Sequence, residues 1–168
     1  GTSVDAINII HSDNRLLAEY AAAALGLNIA GVDFISTDAD LDAYKLIIAP
    51  CLPIVDDAFV DKCEQCDATI VFGPRSGSKT ADFGFPQSLP PGPLRRIAPL
   101  KVLSVETLRP DCAERLAWNQ KQYDSVIWRE ELDAPSADVL ARYDDETAAI
   151  VRFDRIIYVG TLTSAEFL

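Results

Sequence analysis

The residues most suggestive of chemistry follow the apolar run Ala68-Thr69-Ile70-Val71-Phe72, in the turn Gly73-Pro74-Arg75-Ser76-Gly77. A Gly-x-x-x-Gly turn leaving a buried strand is the form in which many hydrolases present a nucleophile, because the strained backbone exposes the central side chain. Here the centre is Arg75, which stays protonated and cannot attack. Ser76 is one place off, and Gly77 leads into Ser-Lys-Thr-Ala-Asp rather than a helix. Cys51 lies between Pro50 and Pro53 and would need a base to form a thiolate. The sole histidine is His11. A hydrolase using Cys51 or Ser76 with His11 is thus the enzymatic alternative, and packing roles for both side chains are the simpler reading. Arg75 could instead hold a carboxylate or phosphate, as a small-anion binding module.

Other constellations offer less. Cys63-Glu-Gln-Cys66 is a lone Cys-x-x-Cys without the second pair of ligands a structural zinc site needs, and it falls near a helix end. Glu130-Glu131 and Asp144-Asp145 read as solvated strand ends and turns, since nothing sets two carboxyls across one sugar. There is no Gly-x-Gly-x-x-Gly and no phosphate loop. No catalytic residue, cofactor or metal is expected.

Short apolar strands and one amphipathic helix must position these residues. Residues 6–10, 31–37, 44–50 and 68–73 read as strands, with a helix running from Asp13 or Asn14 to Gly26 and another from Asp56 or Asp57 to Cys66. That alternation predicts parallel βαβ units. Residues 78–93 break it with Gly84, Pro86, Pro90, Pro91, Gly92 and Pro93, a loop long enough to suggest function. Beyond it, 101–108, 115–118, 121–132, 137–145, 148–153 and 155–162 read as strands, with a hairpin across Asn119-Gln120. The reading is one α/β domain over 1–168, parallel in its first half and antiparallel in its second.

Composition sets the outer bounds. The chain has 168 residues, 49% hydrophobic and 24% charged, as expected of one globular domain. A net charge of −11 argues against a nucleic-acid partner. No apolar run reaches membrane-spanning length. Four cysteines do not suggest a secreted disulfide framework, which points to a reduced, cytoplasmic protein. The chain begins at Gly1 without any methionine, as a domain excised from a larger chain would. Charge is uneven: residues 38–67 are acidic, whereas 75–101 carry Arg75, Lys79, Arg95, Arg96 and Lys101 against Asp82 alone. The two stretches are either solvated faces or complementary surfaces of neighbouring subunits.

Four segments in register, Asp40 to Lys45, Arg75 to Gly77, Pro91 to Arg95 and Tyr158 to Thr161, resemble the middle domain of glycoside hydrolase family 42 β-galactosidases. That resemblance implies the β-galactosidase trimerisation domain, with a flavodoxin-like, class I glutamine amidotransferase-like three-layer fold. It also implies a parent enzyme that hydrolyses β-galactosides through glutamates on a separate barrel, none of them in this chain. The amidotransferase cysteine would stand where Arg75 does, and no histidine follows His11, so that machinery is missing. The expected role is non-catalytic self-association, a trimer in the whole protein. The candidate interface is Arg75, Phe83, Phe85, Leu89, Arg95 and Arg96: apolar anchors and arginines beside a proline-stiffened loop.

Overall fold

The first two strands alternate in and out of the core. In the computed structural model, which describes residues 41–109, 112 and 114–163, β1 (Leu46–Ala49) buries Ile47 and Ala49 and turns Leu46 and Ile48 outward. β2 (Thr69–Phe72) buries Ile70 and Phe72 completely. They pair in parallel, Leu46 opposite Thr69 through Ala49 opposite Phe72. The elements expected at 6–10, 13–26 and 31–37 lie outside the described residues.

The helix α1 (Asp57–Gln65) links these strands, and both its ends have an identifiable cause. Asp56 is the N-cap, its Oδ1 accepting from the Phe59 N–H at 2.8 Å. At the other end Arg155 donates to the free carbonyls of Cys63 at 2.6 Å and Glu64 at 3.0 Å, where a cation also suits the helix dipole. Phe59, Val60 and Cys63 form the buried face, with Phe59 edge-on to Phe72 at 6.4 Å between ring centroids.

After residue 100 the chain is strand upon strand: β3 (Lys101–Thr107), β4 (Glu114–Trp118), β5 (Lys121–Asp133), β6 (Asp138–Tyr143), β7 (Ala148–Phe153), β8 (Ile156–Val159) and β9 (Thr161–Thr163). The sheet order is β1-β2-β8-β7-β6-β4-β5-β3, with β9 also paired to β5. β8 lies parallel to β2, and every later pairing is antiparallel. Register shifts in the β3–β5, β5–β9 and β6–β7 ladders bend the sheet until β9 meets β5. The curl encloses Leu116, Ala141, Tyr143, Ala149 and Ile150. Asn119 and Gln120, at φ 49° and 64°, make the left-handed two-residue turn between β4 and β5.

This overturns the α/β reading. The described residues hold one α-helix against nine strands in a single curled mixed sheet, not the three layers of a flavodoxin-like or amidotransferase-like domain. The physical reason lies in the connections. From Gly73 to Leu100 the chain has a proline loop and a 3-10 turn (Gly92–Arg96). Thereafter tight turns join strands directly and leave no length for crossover helices. No helix among the described residues is long and apolar enough to cross a membrane.

One side chain ties the curled half together. Arg129, largely buried, pairs with Glu114 of β4 and with Asp145, donates to Thr147 Oγ1 at 2.9 Å, and lies 4.3 Å from the Tyr143 ring centroid. Arg129 first, then Thr147, hold the Asp145 carboxyl down to about 2, against an ordinary 3.8. A depressed acid stabilises the fold above its ordinary value, and that contribution vanishes as pH falls through its folded value. Asp145→Asn is therefore expected to cost about 1 kcal/mol or less at pH 7, given solvent screening at this exposed site. In thermal melts the gap between wild type and variant should close between pH 4 and 2; a gap independent of pH would rule out the pairing.

Candidate functional site

The turn after β2 is built by backbone contacts at both glycines. The Gly73 N–H donates to Ala49 O at 2.8 Å and the Gly77 N–H to Leu52 O at 2.9 Å. A Cβ at Gly73 would meet Pro50 O at 1.8 Å, and one at Gly77, whose φ is +63°, would meet Pro91 O at 1.8 Å. The Gly-x-x-x-Gly spacing thus serves close packing of the β1 exit, the turn and the Pro90-Pro91 segment. A short parallel bridge, Ile54 to Lys79, extends the contact.

Ser76 is fully buried and its hydroxyl is committed at both ends. Its Oγ accepts from the Leu52 N–H at 3.2 Å and donates to Gly73 O at 2.8 Å. Such a hydroxyl braces the turn and is not offered as a nucleophile. Cys51 is exposed, but partial burial of its thiol raises the pKa more than Arg75 lowers it, while Glu130 adds to the rise. That is the reverse of an activated thiolate. His11 lies outside the described residues. Cys63 and Cys66 are buried; burial, then Cys66, pushes the Cys63 thiol up to about 12, and Cys66 donates to Cys63 O at 3.6 Å. Among the described residues no group of His, Cys, Asp and Glu is placed to hold a metal.

Arg75 occupies the centre of the turn at φ 67°, a left-handed conformation that costs a non-glycine residue about 1–2 kcal/mol. What holds it there is Glu130, a charged side chain only 1% exposed in the middle of β5. Glu130 Oε1 accepts from the Arg75 backbone N–H at 2.8 Å and from Trp128 Nε1 at 3.1 Å, and Oε2 accepts from the Tyr158 hydroxyl at 2.8 Å. Three donors from three parts of the chain converge on one carboxylate. The reading of Glu130-Glu131 as a solvated pair is corrected: Glu131 is exposed, but Glu130 points inward. Its one sequence signal is position, an acid alternating with Trp128 and Leu132 on the inner face of a long strand.

The Arg75 side chain leaves this anchor and stacks on Trp128, its Cζ 5.2 Å from the ring centroid. Trp128 follows a second left-handed residue, Ile127, at φ 66°. That is a costly state for a β-branched side chain, and it sits where the β5–β9 register shifts. Stacking of an exposed guanidinium on this half-buried ring returns about 1 kcal/mol, which does not cover the strain of two left-handed residues.

The other candidate residues divide. Phe83 and Phe85 are 68% and 84% exposed and Leu89 is 46% exposed, so the loop presents its apolar side chains outward. The loop is nonetheless structured: the Thr80 N–H donates to Gly84 O, the Phe83 N–H to Thr80 O, and Lys79 Nζ stands 3.7 Å over the Phe85 ring. Arg95 is half-buried. Arg96 is exposed but engaged, bonding Asp61 at 2.8 Å, Glu64 at 2.7 Å and Asp57 at 3.5 Å on α1. The sign reversal between 38–67 and 75–101 is thus matched, at Arg96, within one chain.

Removing the anchor should be measurable. Glu130→Leu strands three donors and is expected to cost about 3 kcal/mol or more, at roughly 1–3 for each unsatisfied group. Glu130→Gln keeps an acceptor for Arg75 and Trp128 and should cost distinctly less. Burial raises the Glu130 pKa more than its three donors and Arg75 lower it. A raised acid makes stability fall as pH climbs from the ordinary 4.5 through the folded value. Denaturant titrations should show that slope in wild type relative to Glu130→Gln; equal slopes would mean Glu130 is not buried as an acid.

The β-galactosidase trimerisation domain family matches residues 9–168. The chain is 37% identical over 148 residues to the β-galactosidase BgaA of a Thermus species, covering 88% of this chain and 22% of that protein. It is 36% identical over 146 residues to a Thermus thermophilus β-galactosidase, covering 87% and 22%. It therefore spans about a fifth of the length of these relatives. In three dimensions it superposes on the β-galactosidase of the psychrophile Marinomonas ef1 with a TM-score of 0.74 at 25% identity, covering 79% of this chain and 20% of that one. With one such match across nearly its whole length, the chain belongs to the β-galactosidase trimerisation domain family.

Proposed function

We propose that this chain is a non-catalytic assembly domain of a longer β-galactosidase-like glycoside hydrolase, acting in the cytoplasm in carbohydrate metabolism. The observation that carries the reading is the family match over residues 9–168. The geometry agrees with it: the turn that could present a nucleophile holds a cation, its serine is spent on the backbone, and its neighbouring thiol is held protonated. Hydrolysis of terminal β-galactosides then belongs to another part of the parent polypeptide, and this domain joins copies of it into a homotrimer. A three-fold ring needs a heterologous contact, one surface meeting a different one.

The contact is proposed to centre on the 78–93 loop, where Phe83, Phe85 and Leu89 are exposed and the backbone is braced by hydrogen bonds among Thr80, Phe83 and Gly84. A braced loop backbone and aromatic side chains with few rotatable bonds lose little entropy on docking. Arg75 and Arg95 complete the polar part, while Arg96 is already engaged with α1. Light scattering on the full-length parent should give three times the protomer mass. Phe83→Ser with Phe85→Ser should shift it toward monomer, by about 2 kcal/mol or more per contact for buried aromatic anchors. A full-length parent that stays monomeric at high concentration would overturn the reading.

A further inference from the structure

Arg75 stands out among the described residues for its combination of fixed position and missing partner. Its backbone is pinned from behind by Glu130 and its guanidinium is laid on Trp128, which Glu130 also holds through Nε1. One buried carboxylate thus sets both halves of the stack. Left-handed non-glycine residues, Arg75 in the turn and Ile127 on β5, bear on the pair from both sides. Strain of this kind persists where surrounding structure over-determines it and concentrates where a side chain must be presented in one way. Yet no carboxylate among the described residues pairs with the Arg75 guanidinium, whereas Arg96 and Arg129 each have two or more.

The hydrogen bond to Glu130 does not require arginine, because the donor is the backbone N–H of residue 75, although the Arg75 charge also favours the Glu130 carboxylate. The φ of 67° would favour glycine. Arginine also adds a planar fork of donors at the surface, stacked on Trp128 and suited to receiving a carboxylate in bidentate fashion.

We propose that the Arg75 guanidinium, stacked on Trp128, is the receptor for a carboxylate supplied by a second copy of the parent protein, and so fixes the orientation of the subunit contact. This rests on the assembly reading above. The occupant follows from charge: with 26 acidic residues against 15 Lys and Arg, a neighbouring copy offers carboxylates in excess. A heterologous ring lets receptor and carboxylate sit on different faces of the same chain. A pre-stacked guanidinium loses little side-chain freedom when it is covered.

The test compares Arg75→Gly, Arg75→Lys and Arg75→Glu in the full-length parent by sedimentation equilibrium at low and high salt, with thermal melting of each. Glycine suits the left-handed backbone, so Arg75→Gly should melt at or above the wild-type temperature while weakening assembly roughly 30-fold or more per contact. Lysine keeps the charge without the planar fork and should fall between. Glutamate should weaken assembly further, and most strongly at low salt. A wild-type trimer together with an Arg75→Gly variant of unchanged affinity would overturn the proposal and leave the assembly reading standing. A lowered melting temperature with unchanged affinity would make Arg75 a purely internal brace. A monomeric wild type would remove the assembly reading, and the receptor with it.

Discussion

The buried Glu130 carboxylate is the constraint around which the rest is arranged. It accepts from the turn after β2, from β5 and from β8, three segments far apart in sequence. A carboxylate without water is tolerable only when its lone pairs are satisfied, so each donor is needed for the others to be worth having. Burial and the Glu130 charge keep the Tyr158 hydroxyl well above its ordinary range, so it remains a donor. The β5 N–H at Glu130 itself bonds Gly160 O at 2.7 Å, which joins the same point to the break between β8 and β9. The curl of the sheet and the shape of the β2 turn therefore meet at one side chain.

Around that point the chain is packed backbone on backbone. Pro50 O lies where a Cβ of residue 73 would be, and Pro91 O where one of residue 77 would be. The Val102 N–H bonds Pro90 O at 2.8 Å, carrying the contact on to β3. A nucleophile turn needs a helix immediately after it to aim its dipole at the reacting centre. Here the space is filled by the returning proline segment, whose residues have no N–H to offer. The two glycines alone resemble a catalytic motif, but their physical use is close approach.

Local signals in the sequence were legible where the causes are local. Asp56 caps α1, left-handed residues close the turn at Asn119-Gln120, and the apolar alternation of β1 and β2 locates the strands within a residue or two. The three-layer fold was implied by the resemblance, and the first strands and helices, read as βαβ units, agreed with it. β8 does return parallel to β2, but through an antiparallel run that no local periodicity distinguishes from separate hairpins. Glu130 has only the weak signal of its alternation with Trp128 and Leu132. On its own strand it is one of three closely spaced acids, with Glu131 and Asp133, and only the register with β3 and the turn of Gly160 decides which of them faces inward. Arg129 was missed in the same way, since its partners Glu114 and Asp145 come from different hairpins.

The arginines show how one residue type serves opposite ends. Asp57, Asp61 and Glu64 lie one above another on α1, at spacings where like charges repel. Arg96 sits among all three and relieves that repulsion, although exposed pairs of this kind contribute little each. Arg129 does the same for Glu114 and Asp145 over the face of Tyr143, with more effect because it is screened from water. Both repair local charge that the chain itself created. Arg75 forms no ion pair among the described residues, although its charge favours the buried Glu130 carboxylate, and its backbone carries a cost that the stack on Trp128 only partly offsets. An arginine that strains its own backbone, lends its charge to Glu130 and still holds its fork of donors at the surface fits the proposed contact with a second subunit.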